Sequence, residues 1–512
     1  MPTSRRTFLL ATGAGLAGVV ALRSCGGTDQ IGGGGDHGDR GGGEADTGGR
    51  VLPSKVKVEP FKVPLPVPPV LRPDRSDASS DHYTLVQHTA KAQIVPGHST
   101  EIWGFNGTFP GPTIESRSGR RAVVHLRNEL PRPTATHLHG GITPADSDGY
   151  PLDVVRPGAG RDYTYPLDQR AATLWYHDHR MDFTGPQVYM GLAGFHIVRD
   201  DEDDALPLPD GDREIPLMLA DRSFGADGSL HYPSLDPSLR GRPGVLSDYA
   251  DGVLGDTILV NGAPWPFLEV AAVRYRFRLL NASNARVYRL RLSPAPAGGG
   301  GFVQVGGDGG FLAAPVRHDT LAVAPGERFD VVIDFSKYRV GTEVTLANAA
   351  GSGGTSRVMR FRVVRGGRDD SSVPARLSDV EQLSAGQAVA HRQFTFKRGK
   401  VHGGHGFTIN DKAFSPDTVL ARPKLGTVEL WEFRASATTH PVHIHLGHFQ
   451  VLARKGGKPG PYDSGWKDTL DLDQGERARV LVRFTGHRGR YVLHCHNLEH
   501  EDMAMMGNFE VV

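Results

Sequence analysis

The densest chemistry in this chain lies at its end: His494-Cys495-His496, followed by His500 and Met505. Only two cysteines occur, and the other, Cys25, lies close to the N-terminus. A structural disulfide in the body of the chain is therefore not expected. In a strand, successive side chains point to opposite faces, which turns His494 and His496 one way and Cys495 the other. One peptide then touches two separate metal centres. A thiolate with imidazoles and a weak thioether is a ligand set suited to blue copper.

Three further clusters accompany it. His137-Leu138-His139 and His177-Asp178-His179 lie in the first half of the chain, and His440-Pro441-Val442-His443-Ile444-His445 lies in the last quarter. A single His-x-His pair also describes two partly buried, hydrogen-bonded histidines on a strand. Four clusters gather ten of the 23 histidines, and burying so many imidazoles without a cation is costly. The remaining histidines, His37 among them, read as structural or surface residues. Parity sorts the clusters further. His443 and His445 share a face, and His440 lies an odd number of positions from each. His440 should therefore join Cys495, while His443 and His445 join His494 and His496.

Such a constellation needs a scaffold that brings the two ends of the chain together. At 512 residues the chain exceeds one ordinary domain. Its 38% hydrophobic and 22% charged residues describe a globular protein with ample core. With 58 basic against 57 acidic residues, nothing points to nucleic acid, an anionic membrane surface or a highly charged substrate. The 66 glycines and 36 prolines favour a loop-rich all-β fold.

A weak internal repeat organises the strands. Phe105-Asn106-Gly107, Val260-Asn261-Gly262 and Ile409-Asn410-Asp411 each precede an apolar strand, and Pro325-Gly326-Glu327-Arg328 is echoed by Gln474-Gly475-Glu476-Arg477. These markers predict three β-sandwich domains, at residues 51–200, 213–366 and 390–512. The linkers are placed at Asp200–Asp212 and between Gly366 and Ala390. The middle domain carries only His231 and His318 and reads as a spacer that shapes the interface.

The N-terminus reads as targeting. Ser4-Arg5-Arg6-Thr7-Phe8-Leu9 is similar to a twin-arginine signal, and the apolar run Phe8 to Leu22 has signal length rather than membrane-spanning length. Residues 1–25 are expected to be this signal segment; the alternative is a short buried helix. A lipid anchor at Cys25 stands beside ordinary processing, with Arg23 atypical of a lipoprotein box. Residues 26–50 form a glycine-rich tether. An exported protein follows, periplasmic, at the cell surface or secreted, with no integral span once the signal is removed.

From about Phe105 to the C-terminus, the four histidine motifs in this order resemble the multicopper oxidase family. The run Thr136 to Asp148, with Gly140-Gly141 and Asp146-Ser147-Asp148-Gly149, resembles bacterial spore-coat-type laccases. The resemblance implies three cupredoxin-like Greek-key β-sandwich domains and four copper ions. It places type-1 copper on His440, Cys495 and His500 with Met505 as axial neighbour; Met503 and Met506 crowd the same segment. Type-2 copper falls to His137 and His443. The type-3 pair falls to His139, His177, His179, His445, His494 and His496.

By the same resemblance Glu501 and Asp148 deliver protons, each having an ordinary salt-bridged carboxylate as its alternative. Asp178 is a candidate to orient an imidazole, although parity turns it away from its neighbours. The stretch Arg180 to Gln187 departs from the spore-coat pattern and leaves access to the cluster open.

The implied activity is one-electron oxidation of phenols or aromatic amines coupled to reduction of dioxygen to water. The partners are dioxygen and a small-molecule reductant; no oligomeric state follows. A metallo-oxidase acting on Cu(I) or Mn(II) is a second reading, weakened by a total of eight methionines. A copper nitrite reductase would not need both His177 and His179. A non-enzymatic cupredoxin-fold scaffold would not need all twelve ligand positions.

Overall fold

The three repeated asparagines occupy the same turn. Asn106, Asn261 and Asn410 are left-handed, with φ of 52°, 50° and 53°, a region that a short amide side chain tolerates. Each side-chain oxygen accepts a 2.8 Å hydrogen bond from a strand amide, that of Val86, Met218 or Thr395. Each side-chain NH2 donates to a carbonyl on the same strand, that of Thr84, Pro216 or Gln393. The repeat is one strand-to-turn device used three times.

The computed structural model describes residues 48–239, 241–401 and 404–512. The expected signal segment, Cys25 and nearly all of the tether lie outside the described residues. Among the described residues, the strands build three successive pairs of sheets plus one two-stranded sheet. The fold is all-β with cupredoxin-like sandwiches, and its few helices are short.

Alternation does the sorting. In the strand Tyr288–Ser293, Tyr288, Leu290 and Leu292 are buried while Arg289, Arg291 and Ser293 are exposed. Each sandwich closes on its own apolar cluster, around Trp103 and Leu174, around Phe277 and Phe361, and around Trp431 and Phe433. Burial of one such Leu or Phe side chain contributes about 1.5–3 kcal/mol.

The first stretch of the expected first domain is laid over the second. Arg50–Leu52 pairs in parallel with Val253–Gly255, and Phe61 and Leu65 sit in the middle core. Arg50, expected at the end of the tether, is therefore strand.

The acidic linker is also more than a connector. Asp200 accepts the Asp203 amide at 2.8 Å and caps the helix Asp201–Ala205. Asp203 is buried, with Arg276 at 2.8 Å and Arg199 at 3.1 Å. Burial alone would raise its pKa, but Arg276 and Arg278 outweigh that and hold it at about 2. Glu214 shows the same opposition, with Arg278 and Arg276 bringing it to about 2.

Both acids lie below their unfolded values near 4, so their stabilising effect is complete above that range and is lost as pH falls through about 2. Asp203→Asn leaves buried arginines underpaired and should cost about 3–5 kcal/mol. The gap in melting temperature from the parent should be widest near pH 7 and shrink as the pH approaches 2. A gap independent of pH would contradict this.

Candidate metal centres

Strand register brings the histidine clusters together. Thr136–His139 runs antiparallel to Ala172–Asp178, with His137 opposite His177 and Trp175 opposite His139. The strand His440–Ile444 runs antiparallel to Gly489–Cys495, with His443 opposite His494 and Val442 opposite Cys495. His179 and His496 follow their strands, their backbone amides donating 2.6 Å hydrogen bonds to the carbonyls of Ala135 and Pro441. All ten clustered imidazoles and Cys495 are no more than 1% exposed.

Two assemblies result. In the first, Cys495 Sγ lies 3.5 Å from Nδ1 of both His440 and His500, and those nitrogens are 3.2 Å apart. Met505 is buried in the same core as Cys495. Its amide donates to the His500 carbonyl at 3.0 Å, and its carbonyl accepts the Cys495 amide at 3.1 Å. Met503 is less buried, and Met506 pairs across from His494. The Phe407 ring lies 3.9 Å from that of His500. His440 and His500 are wholly buried.

In the second assembly, His139, His177 and His496 form one triad and His179, His445 and His494 another, while His137 and His443 meet beside His139. Stacking tightens it: the His137 and His445 rings are 3.7 Å apart, and those of His139 and His443 are 3.6 Å apart. His137 Nε2, His139 Nδ1, His177 Nε2, His443 Nε2 and both nitrogens of His496 have no hydrogen-bond partner. Each such buried atom costs about 1–3 kcal/mol, and a cation is what recovers it. The donor set fits metal.

The opposite nitrogens are tied back. His137 Nδ1 donates to the Asp148 carbonyl at 2.6 Å, and His177 Nδ1 donates to the Asp178 carbonyl at 2.8 Å. Such bonds aim the free nitrogen inward. Burial pulls the pKa of His137, His177 and His445 well below the usual value, and that of His440 to about 4, favouring the neutral, ligating form. Burial pushes the Cys495 thiol well up; a bound cation reverses this.

Both nominated acids face this assembly. Asp148 Oδ2 accepts from His445 Nδ1 at 2.7 Å, and burial raises its carboxyl to about 8. Glu501 sits between His179 Nδ1 at 3.3 Å and His494 Nδ1 at 3.1 Å, and the Thr184 hydroxyl donates to it at 2.6 Å. Burial works to raise the Glu501 pKa, but the two imidazoles hold it well below the carboxylate range.

Asp178 differs from expectation. Its carboxylate reaches no imidazole and accepts from the Ala135 amide, the Arg180 amide and Gln187 Nε2, at 2.9, 3.0 and 2.8 Å. It braces backbone instead. The divergent stretch after His179 becomes the helix Thr184–Met190, docked through Asp502, which accepts the Thr184 and Gly185 amides at 2.8 Å.

Sequence reasoning missed four contributors. Trp175 stacks on His177 at 4.1 Å, and Asp468 lies 3.1 Å from His139 Nε2. Arg328 pairs with Asp468. A Cβ at Gly326 would stand 2.9 Å from His496 and 3.1 Å from His139. The middle sandwich therefore walls the site with Gly326 and Arg328. The echoed Gly-Glu-Arg segment was the one signal that pointed there.

Residues 87–203 and 373–512 each match a multicopper oxidase family profile. The chain belongs to the multicopper oxidase family. It is 36% identical to a laccase of Bacillus subtilis over 89% of this chain and 99% of that one. It superposes on a laccase from Pediococcus acidilactici with a TM-score of 0.80 and 32% identity, covering 93% of this chain and 98% of that one. A multicopper oxidase from Campylobacter jejuni described as a metallo-oxidase matches with a TM-score of 0.74 and 26% identity, over 91% and 99% of the two chains. This multicopper oxidase is thus an oxidoreductase whose cofactor is copper, four ions in the family arrangement of one type 1, one type 2 and two type 3.

Proposed function

We propose that this multicopper oxidase is an exported laccase-type enzyme that takes single electrons from phenols or aromatic amines and reduces dioxygen to water. The observation that carries the reading is the placement of one tripeptide. Cys495 lies with His440 and His500, while His494 and His496 each belong to a different histidine triad.

On this reading His440, Cys495 and His500, with Met505 buried in the same core, would hold type-1 copper. His137 and His443 would hold type-2 copper, and the two triads would hold the type-3 pair. When bound, the coppers supply one-electron acceptance from the reductant and four-electron reduction of dioxygen.

The chain's own part is positional. The Cys495 backbone is a covalent link between the two assemblies. Glu501, fixed by the Thr184 hydroxyl, and Asp148, resting on His445, are the carboxyls placed to hold and pass protons there. Export rests on the twin-arginine-like start; no described helix is long and apolar enough to cross a membrane.

A second reading, oxidation of Cu(I) or Mn(II), is favoured by one feature. A cavity of about 310 Å³ reaches Thr439, next to His440, and is walled by Asp471, Asp473 and Glu476 together with Arg289 and Arg454, the last paired with Glu476. A donor screen on copper-loaded protein separates the two readings. Oxygen uptake with phenols or amines, exceeding that with Cu(I) or Mn(II), is the expected result. Uptake with the metal cations alone would favour the second reading, and none with any donor would sink both. Copper near zero per chain would instead favour a scaffold.

A further inference from the structure

Arg328 from the middle sandwich and Asp468 from the third form an ion pair with neither side chain exposed. Two guanidinium nitrogens donate to the two carboxylate oxygens, Nη1 to Oδ1 at 2.7 Å. This is the fork geometry that arginine offers and lysine does not. Arg328 is itself anchored by the carbonyls of Thr173 and Gly326 at 2.9 Å and of Asp308 at 3.1 Å. Lys467 lies 3.1 Å from both Asp308 and Glu327. The acids around Arg328 and Lys467 hold both in their protonated form. This run of buried charges braces Arg328 in place.

The far end of the brace reaches two imidazoles. Asp468 Oδ1 accepts from His139 Nε2 at 3.1 Å, and the Asp468 carbonyl accepts from His443 Nδ1 at 2.9 Å. The Thr469 hydroxyl donates to Asp468 Oδ1 at 2.8 Å and lies 3.1 and 3.2 Å from the same two nitrogens. A neutral imidazole carries one N–H, and carboxylate and carbonyl oxygens only accept. The proton is thereby assigned to His139 Nε2 and to His443 Nδ1. The bare nitrogens are then His139 Nδ1 and His443 Nε2, and both lack any hydrogen-bond partner. His139 is reversed relative to His137 and His177, which are tied back through Nδ1 to backbone carbonyls. That reversed tautomer needs an acceptor on the other side of the ring, and Asp468 supplies it.

We propose that Arg328 and Asp468 are positioning residues: the Asp468 carboxylate fixes the tautomer of His139, and the pair holds in place the Asp468 carbonyl on which the tautomer of His443 rests. The sandwich that supplies no ligand thereby governs metal binding at the group His137, His139 and His443. The inference rests on the ligand assignment proposed above.

The test is copper retention and the type-2 electron paramagnetic resonance signal of the copper-loaded full chain, parent against Asp468→Asn. A neutral carboxamide cannot match the guanidinium fork, and its NH2 competes for the face turned to the imidazoles. Copper affinity at this group should fall about 10- to 100-fold, read as fewer coppers per chain after dialysis against a chelator and a changed type-2 spectrum. The blue band should persist, because His440, Cys495 and His500 touch neither residue, and it serves as the control for folding.

Should Asp468→Asn fail to fold, Arg328→Lys keeps the buried charge, removes the fork and carries the same expectation in weaker form. Parent-like copper content and type-2 spectrum in the folded variant would overturn the brace. A copper-loaded parent without a type-2 signal would overturn the ligand assignment and the brace with it.

Discussion

Cys495→Ser is expected to remove the blue absorption and lower turnover at least about 100-fold, equivalent to about 2.7 kcal/mol of barrier. Sγ stands 3.5 Å from two imidazole nitrogens in a pocket sealed from solvent. A hydroxyl there is harder, far less acidic and a poor match for a soft site. The histidine triads are built from other side chains, so copper content should fall from about four to about three per chain rather than to zero. Absorption, copper analysis and oxygen uptake on one preparation decide the matter. A blue variant, or one with most of its turnover intact, would show that Cys495 does not link the two assemblies.

Glu501→Gln should separate electron entry from dioxygen reduction. The carboxylate lies between His179 and His494 with the Thr184 hydroxyl donating to it. A carboxamide nearly preserves the shape but does not hold a transferable proton, and loss of a positioned acid or base costs about 10²- to 10⁴-fold. Anaerobic bleaching of the blue band by a reductant should keep its parent rate. Recovery of the band on admitting oxygen should slow by that factor. Equal slowing of both phases would point to a distorted cluster instead, and slowing of neither would reduce Glu501 to an ordinary buried carboxylate. Asp148, which rests on His445, provides the comparison.

Much of this arrangement is legible in residue types and spacing because it is built from local rules. Alternation along a strand separates Cys495 from His494 and His496 in any all-β context. The asparagine turns carry their own hydrogen bonds, so each repeat can be read without knowledge of its neighbours. Asp178 shows the same rule from the other side: parity turned its carboxylate away from the imidazoles, and it is spent on backbone amides. What escaped is non-local. Asp468 lies 329 positions from His139, the residue it contacts, and an aspartate among Trp466, Lys467 and Thr469 carries no pattern of its own. The packing of Phe407 against His500 is non-local in the same way, since the two residues lie on separate elements far apart in the chain.

The two Gly-Glu-Arg turns draw the division most sharply. By itself the sequence determined that Pro325-Gly326-Glu327-Arg328 and Gln474-Gly475-Glu476-Arg477 form the same turn. Glu327 accepts the Ala324 amide at 2.8 Å and Glu476 the Asp473 amide at 3.0 Å, with left-handed glycines at φ 85° and 70°. The histidine clusters and their sorting by parity are of the same kind, since short-range backbone geometry dictates them. Only the tertiary structure decided that one turn faces open space at Gly475 while the other presses Gly326 against His139 and His496. The physical reason is that packing between sandwiches selects which copy of a turn is buried. A buried arginine at the first copy then has to find its carboxylate, Asp468, on another part of the chain.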